Sequence, residues 1–262
     1  LSTLPTAFGE KMVMRIFDPE VLLKSFDQLG FSADDLKRWQ SMTSQPNGII
    51  LVTGPTGSGK TTTLYAALSK MDSSVQKIIT VEDPVEYQLE GINQIQVHPQ
   101  IGLSFANALR SVLRQDPDIV LVGEIRDAET ATIAIQAGLT GHFVFSTLHT
   151  NDAVSAIVRL RDMGVDSFKI GTVLRGIIAQ RLVRRICPAC AVELPLEEIP
   201  EHARPPADYA GTFTPRRGVG CKSCGGSGYR GRIAVMELLP VEGAVGGLIE
   251  SGASQQAIIE AS

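Results

Sequence analysis

The stretch GPTGSGKTTT, residues 54–63, limits the fold of this chain more than any other feature. It fits the pattern G-x-x-x-x-G-K-(S/T), follows an apolar run at 49–53 and precedes a helical pattern. Glycines in such a loop let backbone N–H groups surround phosphate oxygens at a helix N-terminus, while the lysine reaches the β- and γ-phosphates and a hydroxyl binds Mg²⁺. The predicted phosphate-binding residues are Gly54, Pro55, Thr56, Gly57, Ser58, Gly59, Lys60, Thr61 and Thr62, with Thr61 as the magnesium ligand.

Apolar runs and helical patterns alternate from residue 48 to about 186, which predicts an α/β fold with a mostly parallel sheet covered on both faces. Apolar residues between Ile170 and Leu182 recur at three- and four-residue spacing, which predicts a further long helix. The expected strands are 49–53, 77–82, 118–123 and 142–147, and the expected helices lie near 60–70, 104–115 and 127–137. Elsewhere we expect a strand around 11–17, a helix with Ser32 as its N-cap, a strand at 232–239 and a helix around 244–260.

Acidic residues follow two of the predicted strands. Glu124 comes directly after the run at 118–123, where a carboxylate completes the shell of Mg²⁺ beside a phosphate-binding loop. Glu82 ends the run at 77–82, and the acidic cluster continues to Glu86. Because the carboxyl ends of parallel strands face the ligand, an acid here is placed to polarise the water that attacks a γ-phosphate. A surface carboxylate and a solvated acidic turn are the alternative interpretations.

Two histidines flank the predicted strand in GHFVFSTLHTND, residues 141–152. Histidines seven residues apart on a strand, with no third ligand, make a poor metal site. His149 and Thr147 fall at the strand end beside the phosphate-binding loop, so we expect them to contact the γ-phosphate. His142, at the far end of the strand, is the weaker candidate, and local hydrogen bonding in the core is the alternative.

The four cysteines form two C-x-x-C pairs separated by thirty residues. Each pair supplies two thiolates from a tight turn, and four sulfurs close the tetrahedral shell of a structural Zn²⁺ site. The predicted zinc ligands are Cys187, Cys190, Cys221 and Cys224. Reduced cysteines without metal are the alternative.

Composition narrows the function classes. A net charge of −4 argues against a nucleic-acid-binding protein, so no nucleic acid is expected as a partner. No apolar run reaches the roughly 18–20 residues needed to span a bilayer. The chain begins with Leu1 in a segment typical of the interior of a domain, which predicts a fragment of a longer protein.

Ordered stretches along nearly the whole chain resemble one family, the ATPases of type II secretion and type IV pilus assembly. The resemblance is carried by STLPTAFGEKMVMRI, GIILVTGPTGSGKTTTLYAAL, VEDPVEYQLEGINQIQV, ALRSVLRQDPDIVLVGEIRDAETA, AGLTGHFVFSTLHTNDA, AQRLVRRICPAC and GYRGRIAVMELL. It implies a RecA-like P-loop ATPase core. The implied arrangement is a remnant of an N-terminal PAS-like domain at 1–17, a linker at 18–36, the RecA-like domain at 37–186, a tetracysteine zinc-binding module at 187–230 and a truncated C-terminal strand and helix region at 231–262.

The resemblance also implies roles for individual residues. Glu82 matches the catalytic carboxylate of the family, Glu124 the Walker B-like acid, and His149 a histidine that senses the γ-phosphate. Arg15 matches an arginine that reaches phosphate from the N-terminal domain, with a surface ion pair as its alternative role. The implied cofactors are ATP or ADP, Mg²⁺ and Zn²⁺.

The resemblance implies a homo-hexamer that works as a cytoplasmic motor, peripherally associated with the inner membrane through its partners. Its implied partners are an inner-membrane platform protein and a cytoplasmic-domain adaptor. We expect the type II secretion motor, with the type IV pilus extension motor as the alternative and a nucleic-acid translocating motor as a less favoured third. The family's second arginine, expected before STLP, lies outside the sequence. We therefore expect this chain to bind nucleotide better than it hydrolyses ATP.

Overall fold

The computed structural model of the chain describes residues 2–14, 24–206, 209 and 212–262. The chain divides into two compact units, one of residues 1–180 with 236–262 and the other of residues 181–235. The domain boundaries expected from the resemblance stay predictions, and Arg15 lies outside the described residues. Within the described part of the chain, no helix has both the length and the apolar composition that a bilayer crossing requires.

Strands and helices alternate along the chain as the apolar pattern predicts. The strands are β1 Ser2–Thr6, β2 Gly9–Val13, β3 Gly48–Thr53, β4 Ile78–Glu82, β5 Asn93–Gln96, β6 Ile119–Val122, β7 Phe143–Leu148, β8 Leu174–Ile186, β9 Ala191–Glu193, β10 Arg216–Gly218 and β11 Tyr229–Pro240. The α-helices are α1 Phe26–Leu29, α2 Ala33–Thr43, α3 Lys60–Leu68, α4 Phe105–Val112, α5 Ala128–Leu139, α6 Ala153–Asp162, α7 Ser167–Val173, α8 Gly243–Glu250 and α9 Gln255–Ala261.

A seven-stranded sheet lies in the first unit, in the order β11-β8-β3-β7-β6-β4-β5. β3 runs parallel to both β7 and β8, and the pairs β7–β6, β6–β4 and β4–β5 are parallel as well. Every residue of β3 is buried, as expected for a strand covered on both faces. The predicted mostly parallel α/β sheet is confirmed. β1 and β2 form a separate antiparallel hairpin. β2 includes residues 11–13 of the strand expected around 11–17, and residues 15–17 lie outside the described residues.

Two apolar layers cover the sheet because successive side chains of a strand point to opposite faces. Ile50 and Val52 of β3 pack in a layer with residues of α2 and α3. Ile49 and Leu51 of the same strand pack in a larger layer with residues of α4 to α9. The sheet is therefore the middle layer of three.

The helix expected after Ser32 is confirmed as α2. The Ser32 hydroxyl accepts a hydrogen bond from the Asp35 N–H at 3.1 Å, and the Asp35 carboxylate accepts one from the Ser32 N–H at 2.9 Å. This reciprocal capping box satisfies two N–H groups that a helix start leaves unpaired.

The long helix predicted between Ile170 and Leu182 was wrong. The helix α7 ends at Val173, and the strand β8 begins at Leu174 and pairs with β3. Ile177 and Ile178 are both fully buried because each faces a different apolar layer, a pattern that a doubly covered strand shares with a buried helix. The helix expected around 244–260 is two helices, α8 and α9, separated by a turn at Gly252 with a φ of 72°.

The second unit begins within β8 and ends within β11. β9 and β10 pair antiparallel in it, with Arg216 opposite Glu193. The rest of its described backbone between β8 and β11 consists of turns, irregular segments and the short 3-10 helices Leu196–Glu198, Glu201–Ala203 and Lys222–Cys224.

Candidate functional site

The loop between β3 and α3 has the backbone that its glycines permit. Gly54 has a φ of 143° and Gly59 a φ of 88°, in the left-handed region that side chains disfavour. A Cβ atom on Gly54 would lie 2.2 Å from the carbonyl oxygen of Gln180 and 2.7 Å from the hydroxyl of Ser58. Only glycine fits the first position of this loop.

Lys60 is the first residue of α3 and is almost fully buried. Its ammonium donates to the carbonyl oxygens of Gly54 at 2.8 Å and Pro55 at 3.1 Å, so it lies across the loop. Burial lowers the pKa of the Lys60 ammonium, while the charge of Glu124 opposes that shift. A buried cation at a helix N-terminus is suited to phosphate oxygens.

Gln180 braces the same loop, a role that the sequence patterns did not indicate. Its amide nitrogen donates to the carbonyl of Ser58 at 2.7 Å, and its amide oxygen accepts from the Thr63 hydroxyl of α3 at 2.8 Å. Among the described residues, the buried Ser58 hydroxyl has no hydrogen-bond partner. The one available signal for Gln180 was an uncharged polar residue at the end of the apolar run GIIAQ.

Glu124 lies two residues beyond β6 and is mostly buried. One carboxylate oxygen contacts the Arg126 guanidinium, and the other lies 3.4 Å from His149 Nε2. Gly123, just before it, donates its N–H to the Val81 carbonyl and accepts the Thr147 hydroxyl, each at 2.7 Å. The Thr147 hydroxyl therefore joins two strand ends and holds the backbone that carries Glu124.

Glu82 is the last residue of β4, and its side chain is buried. One carboxylate oxygen accepts from the Tyr65 hydroxyl of α3. The other accepts from the Thr80 hydroxyl at 2.5 Å and from the Gln94 amide at 3.1 Å. The predicted acidic turn thus contains one carboxylate enclosed by neutral donors, which a solvated turn does not have.

The two histidines occupy opposite ends of β7. His149 follows the strand, and Thr150 next to it shares hydrogen bonds with the Thr53 hydroxyl at the end of β3. His142 precedes the strand, where its Nδ1 lies 3.1 Å from the Ala137 carbonyl oxygen. Of the two, only His149 lies at the sheet edge that carries the loop between β3 and α3.

Parallel pairing brings the polar strand ends together. β3, β4, β6 and β7 are neighbours in the sheet and leave Lys60, Glu82, Glu124 and His149 at their carboxyl ends. Thr61, the second residue of α3, is exposed next to Lys60. Its hydroxyl and the Glu124 carboxylate are the hard oxygen donors that Mg²⁺ prefers, so the residues at this edge fit that ion.

The four cysteines converge in the second unit. Cys187 Sγ lies 3.9 Å from Cys221 Sγ, Cys190 Sγ lies 3.9 Å from Cys224 Sγ, and Cys221 Sγ lies 3.7 Å from Cys224 Sγ. All four sulfurs lie within 4.8 Å of one another. Tetrahedral Zn²⁺ with bonds of about 2.3 Å requires sulfur separations of about 3.8 Å, so the cluster fits this ion.

Backbone groups prepare the cluster for a cation. The N–H groups of Cys221 and Gly228 both donate to Cys224 Sγ at 3.2 Å. Donation from Cys221, the main cause, and from Gly228 lowers the pKa of the Cys224 thiol to about 6. A thiolate is the form that binds metal, so these donors favour the ligand state of Cys224. Burial has the opposite effect on its neighbour and raises the pKa of the Cys190 thiol to about 11.

Comparison with known proteins gives one consistent assignment. The family model described as Type II/IV secretion system protein matches residues 1–262. The chain is 50% identical to the type II secretion system protein E of Dickeya dadantii over 98% of this chain and 51% of the relative. It is 51% identical to the type IV pilus assembly ATPase PilB of Myxococcus xanthus over 97% of this chain and 45% of the relative.

A crystal structure of the pilus retraction motor PilT with bound ADP has a similar fold, with a TM-score of 0.67 and 30% identity. The similarity covers 99% of this chain and 64% of the motor. The chain spans about half the length of the curated relatives it matches.

Proposed function

This chain belongs to the type II/IV secretion system protein family, and from that premise we propose that it is the ATP-hydrolysing part of a type II secretion motor. One observation carries the proposal. Lys60 and the acids Glu82 and Glu124 lie with His149 at one edge of a parallel sheet. In α/β sheets, ligands bind at this edge.

The residues at this edge of the sheet have different roles in phosphoryl transfer. The loop of residues 54–59 and Lys60 hold the β- and γ-phosphates, and Thr61 and Glu124 hold Mg²⁺. The ion, when bound, offsets charge on the phosphate oxygens. Glu82 orients a water and takes its proton while the water oxygen bonds to the γ-phosphorus. The bond from that phosphorus to the bridging oxygen breaks, ADP leaves, and the proton passes to the released phosphate.

His149 connects this chemistry to the bound phosphate. Its ring contacts Glu124 and is about half exposed, so its free face is available to a γ-phosphate. Arg15, as in the resemblance, supplies a further positive charge to the phosphates. In the second unit the four cysteines hold Zn²⁺ as a structural cross-link, because four thiolates leave no open coordination position.

We further propose that the whole protein is a homo-hexamer at the cytoplasmic face of the inner membrane. Its partners are an inner-membrane platform protein and a cytoplasmic-domain adaptor, and no nucleic acid is among them. The names of the similar relatives support both a secretion motor and the alternative, a type IV pilus assembly motor. Restoration of secretion, but not of pili, in strains lacking each motor separates these two functions, and the reverse result selects the pilus motor.

Nucleotide binding tests the first step of the proposal. A fluorescent ATP analogue with Mg²⁺ is expected to bind the chain, and Lys60→Ala is expected to abolish that binding. Lys70→Ala, at an exposed lysine just after α3, is the matched control and keeps it. Equal affinity of Lys60→Ala and Lys70→Ala would contradict the proposed site.

Hydrolysis tests the second step and is measured on the assembled protein. Glu82→Gln is expected to bind the analogue normally and to lose roughly 10²- to 10⁴-fold in kcat, the usual contribution of a general base. A Glu82→Gln protein with unchanged kcat would show that another group accepts the proton.

A further inference from the structure

Tyr65 is a buried titratable residue that the proposed mechanism leaves without a role. It lies on α3, five residues after Lys60, with only 1% of its side chain exposed. Its hydroxyl donates to the Glu82 carboxylate, and its ring lies 6.4 Å from the ring of Tyr87. The helix that starts at the phosphate site therefore also contacts the carboxylate assigned to proton transfer.

The donors around Glu82 limit the directions in which it can accept a proton. A carboxylate has about four lone-pair sites. Tyr65 occupies one on one oxygen, and Thr80 and Gln94 occupy two on the other. Among the hydrogen bonds of the described residues, one site remains, on the oxygen that accepts from Tyr65. The hydrogen bond from Tyr65 thus fixes the direction of the remaining lone pair of the Glu82 carboxylate.

Tyr65 is a stable donor in this place. Burial, and then the hydrogen bond to Glu82, raise the pKa of the Tyr65 hydroxyl above its ordinary value. The phenol therefore keeps its proton over the whole working range of pH. Thr80 and Gln94, the other two donors, are neutral at every pH.

We propose that Tyr65 is a positioning residue that fixes Glu82 relative to the phosphate-binding loop, so that one helix sets both the phosphate and the base. The proposal rests on the proposed function, because it requires Glu82 to accept the proton of the attacking water. α3 is a continuous helix from Lys60 to Leu68, so a shift of its N-terminus on phosphate binding reaches Tyr65 without a break. Phosphate binding and base orientation are then coupled through a single hydroxyl.

The test uses Tyr65→Phe, which removes the hydroxyl and keeps the ring in the core. We expect kcat to fall roughly 10- to 100-fold, as for a misplaced catalytic group, while the Kd for the fluorescent ATP analogue stays unchanged. Rates are divided by the number of nucleotide sites titrated with the analogue, so a partly unfolded preparation does not imitate a slow enzyme. Tyr229→Phe, an equal change in the second unit, is the control and keeps kcat.

The double variant separates a positioning role from an independent one. If Tyr65 acts through Glu82, adding Tyr65→Phe to Glu82→Gln lowers kcat no further. An unchanged kcat in Tyr65→Phe, or an equal further loss in the double variant, would overturn the role of Tyr65. An unchanged kcat in Glu82→Gln would instead overturn the assignment of the base in the proposed function, which is a distinguishable result.

Discussion

Replacing Gly218 by alanine is expected to weaken metal binding without changing any cysteine. A Cβ atom at Gly218 would lie 1.9 Å from the carbonyl oxygen of Gly228 and 2.6 Å from its carbon. Gly228 holds both halves of the cluster, because its carbonyl accepts the Cys187 N–H at 2.9 Å and its N–H donates to Cys224 Sγ at 3.2 Å. A displacement of the Gly228 backbone therefore moves metal ligands of both C-x-x-C pairs.

The size of the effect follows from the required displacement. The Cβ atom and the Gly228 oxygen must separate from 1.9 Å to at least 3.0 Å, since real Cβ atoms essentially never approach more closely. Metal–ligand distances tolerate changes of only about 0.2 Å. Overpacking of this kind typically costs about 1–3 kcal/mol. A loss of that size makes zinc binding roughly 5- to 150-fold weaker.

Competition with a chromophoric chelator measures the zinc affinity of the purified chain. Val219→Ala is the matched control, because Val219 is the next residue and is 60% exposed. Its affinity is expected to equal that of the unaltered chain. Equal zinc affinity in Gly218→Ala and Val219→Ala would refute the reasoning from the contact between Gly218 and Gly228.

Three further outcomes are expected. His149→Ala is expected to lower kcat of the assembled protein and to keep binding of the ATP analogue. His142→Ala, at the opposite end of β7, is the control and is expected to change neither quantity. Equal rates for both variants would show that His149 does not belong to the site. Phe145→Ala is expected to lower the free energy of unfolding by about 3–5 kcal/mol in denaturant titrations, because this fully buried ring packs on Trp39 and Phe143. A loss below about 1 kcal/mol would contradict that packing. Removing metal with a chelator is expected to leave the fluorescence emission maximum of Trp39, the single tryptophan, unshifted, because Trp39 is buried in the core of the first unit. A red shift would show that this core becomes exposed to water when the cysteine cluster loses its metal.

Contiguous motifs were predictable because their spacing along the chain already determines their geometry. The loop predicted to bind phosphate needs only a strand, glycines and a helix start in sequence, and the structure has them between β3 and Lys60. The C-x-x-C pairs likewise place two sulfurs within a single turn. That the two pairs meet could be predicted only by assuming a metal, and the sulfur distances agree with that assumption.

Contacts that depend on strand register could not be predicted. Tyr65 contacts Glu82 because of the position at which α3 packs along the strands of the sheet. No local sequence pattern predicts that position. Gln94 reaches the same carboxylate from β5, a short and half-exposed strand whose polar sequence NQIQ gave no strand signal. In β8, burial on both faces produced an apolar spacing that a helix also explains, so the prediction there failed.

The position of the cysteine unit between two adjacent strands has a consequence for chain entropy. β11, at the edge of the sheet, pairs with β8 only after a connection of 42 residues, 187–228. A metal that joins Cys187 to Cys224 shortens the free path to about five residues, which lowers the closure cost by about 2 kcal/mol. The ion would therefore favour the return of β11, and with it the docking of α8 and α9, through the connectivity of the chain alone.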